Sequence, residues 1–318
     1  MTPVQLTYLV FGIVIIIALV FDLGLLSKKE ETVTLKKALF QTIFWVTLAL
    51  GFFVFLWFED GHVMAVEYLS AYLMEWSLSI DNIFVFILIF SFFGIKPLHY
   101  ARVLLIGILM AIVLRILFIT IGIELIQRFH WLLYVFGVVL LITGIKMFSA
   151  KGEEEESLEN NRVYKLLKRF LPLVPGEEGG KFTVRINGKR HYTSIFVVVI
   201  MLATTDIVFA LDSIPAVFAI SQKPLVVYTS NIFAVLGLRS LFFLLKGAVN
   251  KFRYLQQGIA VILIFIGLKM LVEIIGIKVP VYISLLVILV CILASIVYSV
   301  EVENRRRRRH NGNVPQKK

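Results

Sequence analysis

The feature that most constrains this chain is a succession of apolar runs, each long enough to cross a bilayer and set apart by short charged segments. A span needs about 20 apolar residues. Nine are read: 4–26, 39–58, 66–93, 102–125, 131–149, 194–220, 226–249, 254–276 and 279–300. Runs of this length exclude a membrane β-barrel, whose strands would be about 10 residues of alternating character. Hydrophobic residues make up 59% of 318 positions and the mean hydropathy is +0.90, against about 45–50% apolar content in soluble domains. The expected fold is an all-α polytopic membrane protein of about nine transmembrane helices.

Charge placement orients those helices. With nine spans and a cytoplasmic C-terminus, 25 of the 32 Lys and Arg fall in cytoplasmic segments, and only Arg128, Lys223 and Lys278 fall on the other side. This is the positive-inside asymmetry, so the net charge of +11 is mostly topology. The run Arg305 to Arg309 adjoins the last span, which reads as an orientation anchor in contact with anionic membrane lipid and not as a nucleic-acid patch. The N-terminus lacks a basic region ahead of its apolar run and carries Lys28 and Lys29 after it. The segment 4–26 is therefore read as a retained span with its N-terminus outside, not as a cleaved signal. The one cysteine, Cys291, sits in the last span and allows neither an internal disulfide nor a cysteine metal cluster.

Inside the apolar runs an acidic pattern is written twice, as MEWSLSIDN at 74–82 and ATTDIVFALDSIP at 203–215. Glu75 lies six residues before Asp81, and Asp206 six before Asp212, so both pairs match at one offset of 131. Ionisable groups at membrane depth are costly and point to function. The repetition extends further: Arg115 in GILMAIVLRILF answers Arg239 in FAVLGLRSLFF at an offset of 124, and Lys146 in TGIKMF answers Lys269 in IGLKML at 123. Two units of three spans follow, 66–149 and 194–276, preceded by two spans in 1–65 and followed by the last span and basic tail in 277–318. An odd number of spans per unit sends the second unit through the bilayer in the opposite sense, the inverted repeat of many secondary transporters, whose sites lie near the midplane.

On a straight helix, six residues turn through about 600°, leaving the two acids of a signature about 120° apart and about 9 Å apart along the axis. Both acids of a pair reach one ion only if the helix unwinds locally; otherwise they form two sub-sites along a path. Ser77, Ser79 and Pro215 mark where a break is expected, since proline lacks the amide hydrogen and frees the carbonyl of Leu211. The segment 150–193 is the only sizeable soluble stretch, and its Asn187-Gly188 pair between alternating residues predicts a small cytoplasmic β-hairpin.

Asn82 and Ser213 each follow an acid directly, and with Glu75, Asp81, Asp206 and Asp212 they form a set of oxygen donors. All five histidines, His62, His99, His130, His191 and His310, fall in predicted loops. Oxygen-only sites suit Mg²⁺, Ca²⁺ and Mn²⁺, so the residues point to a hard or borderline divalent cation as substrate. Arg115 and Arg239 could instead pair with acids purely to hold the bundle together, but two arginines leave two of four carboxylates uncompensated, and such groups take up a proton or a cation. That motivates exchange of metal for protons, with Arg115 and Arg239 holding carboxylates when no metal is bound. Lys146 and Lys269 can snorkel toward span ends, and Glu124 and Glu273 lie near the external boundary, where they could line an exit path. No nucleophile with an adjacent base appears, and enzymatic activity and a permanently bound cofactor are not expected.

The chain resembles the TerC family of bacterial membrane proteins, in its longer Alx-like branch. The resemblance rests on MEWSLSIDN, on DIVFALDSIPA and on the endings at Lys146 and Lys269, and covers about residues 10 to 303. It implies manganese export at the inner membrane, protection against excess Mn²⁺, and in some members supply of metal to proteins outside the membrane. The family name reflects an association with tellurite resistance, for which the acids offer no anion site. Two alternatives stay open: a non-transporting membrane partner for insertion or maturation of other proteins, as in plastid relatives, and an exporter of organic cations or amino acids, as in the wider LysE-like group.

Overall fold

The computed structural model describes residues 3–24, 33–149, 162–174, 180–186, 188–246, 255–277 and 279–312; some side chains within these, Asp81 and Asp212 among them, lie outside the described residues. The described residues hold nine long helices: α1 (Pro3–Gly24), α2 (Leu35–Glu59), α3 (His62–Phe92), α4 (Pro97–Arg128), α5 (Leu132–Ser149), α7 (Ser194–Ile220), α8 (Pro224–Lys246), α9 (Leu255–Val272) and α10 (Val281–Gly312). A short helix α6 (Arg162–Phe170) and three strands lie between α5 and α7. Seven of the long helices are apolar and long enough to cross a membrane, and α1 contributes the shorter apolar stretch Gln5–Val20. The all-α polytopic architecture is as the apolar runs require, because only helices satisfy every backbone group within the segment.

Helix α8 is the centre of the bundle. Its apolar window is 89% buried, against 22% for α5 and for α10, and those outer helices turn Val139, Ile142, Leu286 and Leu293 outward as a lipid-facing helix should. Phe233 of α8 packs on Phe52 of α2 and Phe11 of α1, with ring centroids 5.5 and 5.4 Å apart, fastening the first two helices to the core through edge and tilted aromatic contacts.

Taking 66–149 and 194–276 as units, the first helix of each packs on the second helix of the other. Helices α4 and α7 run side by side in one direction, with Gly107 against Leu202 and Gly122 against Phe218. Helices α3 and α8 do the same, with Tyr68 beside Phe233 and Phe90 beside Phe242. By contrast α5 and α9 cross antiparallel: Gly137 meets Gly267, and Gly144 meets Ala260 and Ile264. The missing side chains let these backbones approach closely, the small-residue packing typical of membrane helices. Helices α3 and α7 are also antiparallel, since Glu67 near the start of α3 accepts a 2.6 Å hydrogen bond from Ser221 just beyond the end of α7.

The basic segments gather at one end. Strands β2 (Thr183–Ile186) and β3 (Lys189–Thr193) pair antiparallel with Ile186 opposite Lys189, and Gly188 in the connection has φ +76°. Beyond the expected hairpin, β1 (Leu173–Val174) adds a parallel strand to β3, because Pro172 offers its carbonyl to the amide of Tyr192. This sheet docks on the start of α4: Arg102 donates to the carbonyl of Gly180 at 3.3 Å and lies 4.9 Å from the Phe182 ring centroid. Tyr164 of α6 packs on Phe92 and Phe93. The Nζ of Lys246, at the end of α8, lies 4.0 Å above the Tyr100 ring. Helix α10 runs antiparallel to α9, with Gly258 against Ser295 and Lys269 donating to Ser284 at 3.0 Å, so its basic C-terminal end lies on the same side.

Helices α3 and α7 differ from one expectation. Both run unbroken past the acidic signatures, α7 with Pro215 inside it. The helix survives the proline because Ile214, Ala216, Val217 and Phe218 are all buried, so packing outweighs the one lost backbone bond. The local unwinding expected at Ser77, Ser79 and Pro215 is therefore not found.

Candidate functional site

The helical period decides which side chains turn inward. On α4, Leu104, Gly107, Ile108, Ala111, Arg115, Ile119 and Gly122 form the buried stripe, while Val113 and Leu117 are exposed. Arg115 is thus in the core by its spacing, despite its charge. On α3 the inward stripe carries Tyr68, Tyr72, Glu75, Ser79 and Asn82; on α7 it carries Leu202, Asp206, Ala210, Ser213 and Val217.

These stripes meet at Arg115, which is 2% exposed. Its Nε and Nη2 close a fork on Asp206, donating to Oδ2 at 2.8 Å and to Oδ1 at 3.0 Å. Its Nη1 donates both to Oε1 of Glu75 and, at 3.0 Å, to Oδ1 of Asn231 on α8. One guanidinium therefore joins α3, α4, α7 and α8, and binds one acid from each signature. Glu75 and Asp206 are buried, at 0% and 3% exposure, where an ion pair is held by geometry and full hydrogen bonding more than by Coulomb energy alone. With both carboxylates ionised the trio carries one negative charge in excess.

Not every oxygen is occupied. Among the described residues, Glu75 Oε2 and the hydroxyls of Ser77, Ser79 and Ser213 are buried without a hydrogen-bond partner, a cost that calls for an explanation in a native site. A cavity of about 10 Å³, large enough for about one water, lies against Asp206 and is lined by Phe86, Leu104, Gly107, Leu202 and Leu238. These residues place it on the sheet side of the Arg115 cluster.

The other sequence candidates are distributed as follows. Asn82 and Arg239 are buried, in α3 and α8. The side chains of Asp81 and Asp212 lie outside the described residues, although their backbones belong to α3 and α7. Lys146 and Glu273 are exposed. Glu124 pairs with Arg128 at 2.6 Å on the surface, and Lys269 is engaged with Ser284. The structure brings none of these last four to the Arg115 cluster. Among the described residues no three of His, Cys, Asp and Glu come together as a metal cage; Glu75 and Asp206 are two acids on one arginine.

Asn231 was not singled out by the sequence reading. It is 1% exposed, and the signal was available: an amide in the middle of an apolar span is costly unless paired.

A bundle of membrane-spanning helices with two buried carboxylates converging on a buried arginine defines a polytopic integral membrane protein with an ionisable core. The TerC family of integral membrane proteins matches residues 60–308, and the chain belongs to this family, in its Alx-like branch. An uncharacterized membrane protein of Myxococcus xanthus is 44% identical over 90% of this chain and 89% of its own. Proteins of Salmonella typhi and Escherichia coli, both named as candidate membrane-bound redox modulators Alx, are 40% and 37% identical, covering 93% and 95% of this chain and 94% and 96% of theirs. No solved structure matches the chain.

Proposed function

We propose that the protein exports divalent metal, with Mn²⁺ as the principal substrate, from the cytoplasm across the bacterial inner membrane. The observation that carries this function is the meeting of Glu75 and Asp206, one from each signature, on Arg115 with one Glu75 oxygen left unpaired. Oxygen donors suit such a cation, and a carboxylate held by an arginine is a ligand kept ready but neutralised. Protons exchange for metal at the acids. Asp81 and Asp212, the remaining acids of the two signatures, are the candidates for a second sub-site.

The crosswise packing of α3 on α8 and α4 on α7, with α3 antiparallel to α7 and α5 to α9, supports two inverted units that rock about the cluster. The gathering of sheet, Arg102, Lys246 and the α10 end on one side supports a cytoplasmic C-terminus and an external N-terminus, with anionic lipid against the basic tail. The protein acts as a transporter and not as an enzyme, and holds no permanent cofactor. The redox role in the relatives' names is then indirect, through metal supply, because Cys291 is the only thiol.

The test compares cellular manganese, calcium and magnesium in a manganese-sensitive host expressing wild type, Glu75→Gln or Asp206→Asn at matched membrane levels. Selective lowering of manganese by wild type alone supports export. Equal metal contents in all three strains would reject it, and would favour the non-transporting membrane partner.

A further inference from the structure

We infer that Asn231 is the positioning residue that keeps Arg115 in place when Glu75 is given up to the transported cation. The inference rests on the export function proposed above and concerns how its site opens.

The two acids are held unequally. Asp206 has both oxygens engaged by the Nε and Nη2 fork at 2.8 and 3.0 Å, and bidentate pairs are the strong ones. Among the described residues Glu75 is held through Oε1 alone, and its Oε2 has no partner. A cation that enters the cluster therefore meets a ready oxygen on Glu75 and has one hydrogen bond to displace there, against two on Asp206. Once Glu75 turns to the cation, Nη1 of Arg115 loses its charged acceptor in a buried place, where an unmet donor is costly.

Asn231 supplies the bond that stays. Its Oδ1 already accepts from Nη1 at 3.0 Å, and its Nδ2 donates to the carbonyl of Val227 one turn earlier at 3.1 Å. The second bond fixes which way the amide faces, since only the oxygen can accept from a guanidinium. The acceptor is neutral, so it holds Nη1 without adding a charge that would trap the incoming cation. Arg115, Asp206 and Asn231 form a static frame joining α4, α7 and α8, and Glu75 is the ligand that moves between arginine and substrate.

The arrangement is one-sided. The position 124 residues before Asn231, the offset that relates the two arginines, is Gly107. A Cβ there would already approach Leu202 to 3.2 Å, and glycine carries no side-chain acceptor for a guanidinium.

The test uses purified full-length protein in proteoliposomes, with Mn²⁺ transport measured against Mn²⁺ concentration, and the Mn²⁺-induced rise in melting temperature of the same preparations in detergent. Asn231→Ala is expected to raise the half-saturating Mn²⁺ concentration about tenfold in both assays and leave the maximal rate within about twofold. Asn231→Asp keeps an acceptor toward Arg115, and in its protonated form still donates to Val227; its half-saturation is expected to stay within about threefold of wild type. If Asn231→Ala leaves half-saturation unchanged, or if Ala and Asp both lower only the maximal rate or both fail to assemble, Asn231 is a packing residue and the inference is wrong. A wild type without transport or Mn²⁺-dependent melting rejects the export function, and with it this role.

Discussion

Arg115 and Asp206, ninety-one residues apart and on opposite units, form a two-bond fork in the interior of the bundle, and the same guanidinium reaches Glu75 on its own unit. The charged cluster is therefore also a structural tie between four helices, and removing different members should have unequal costs.

Arg115→Gln would leave Glu75 and Asp206 buried without their counter-charge. Breaking one side of a buried pair costs about 3–5 kcal/mol. The melting temperature in detergent should fall by several degrees or more, and Arg115→Lys should recover only part of the loss because lysine cannot make the planar fork. A second change, Asp206→Asn, should partly rescue Arg115→Gln by removing one orphaned charge.

The ion pairs at the bundle ends should behave differently. Lys223 contacts Glu67 at 3.2 Å and Arg128 contacts Glu124 at 2.6 Å, and the basic partners are 45% and 69% exposed. Exposed pairs contribute about 0–1 kcal/mol, so Lys223→Ala and Arg128→Ala should each shift melting by an amount close to the error of a thermal scan. Glu67→Ala should cost more than Lys223→Ala, because it also removes the acceptor of Ser221.

The α5–α9 crossing should be intolerant of added volume. A Cβ on Gly267 would come within 2.7 Å of the Gly137 carbonyl oxygen, and one on Gly144 within 2.9 Å of the Ala260 carbonyl. Backbone cannot yield as a side chain does, so Gly267→Val and Gly144→Val should each destabilise by about 1–3 kcal/mol, seen as lower melting and weaker accumulation in membranes. Gly12→Ala, where a Cβ meets nothing within 4 Å, serves as the neutral control.

The sheet should be separable from the membrane core. Arg102→Ala removes both the bond to Gly180 and the contact over Phe182. Limited proteolysis of inside-out vesicles should then cut within 150–193 several times faster than in wild type, while melting of the helical bundle changes little. Unchanged protection would show that α6 and the strands hold the segment without Arg102.

The sequence by itself determined the class, the helix positions and the family, because each depends on local patterns. Apolar runs of about 20 residues dictate membrane helices, and the spans read at 194–220 and 131–149 coincide with α7 and α5 to within a residue. Chain direction alone does not say which helices touch. That α3 lies on α8 and α4 on α7, that Glu75 and Asp206 share one arginine, and that Asn231 completes its hydrogen bonds are all outcomes of packing between segments far apart in the chain. Lys146 and Lys269 show the same limit from the other side: they match in sequence, yet one is exposed and the other is turned to Ser284 on α10, because a repeated residue inherits its spacing from the sequence and its surroundings from the fold. The unbroken α7 makes the point at a single residue. Pro215 removes one backbone bond by its covalent structure, but whether the helix breaks there is decided by the buried side chains around it, which only the assembled bundle supplies.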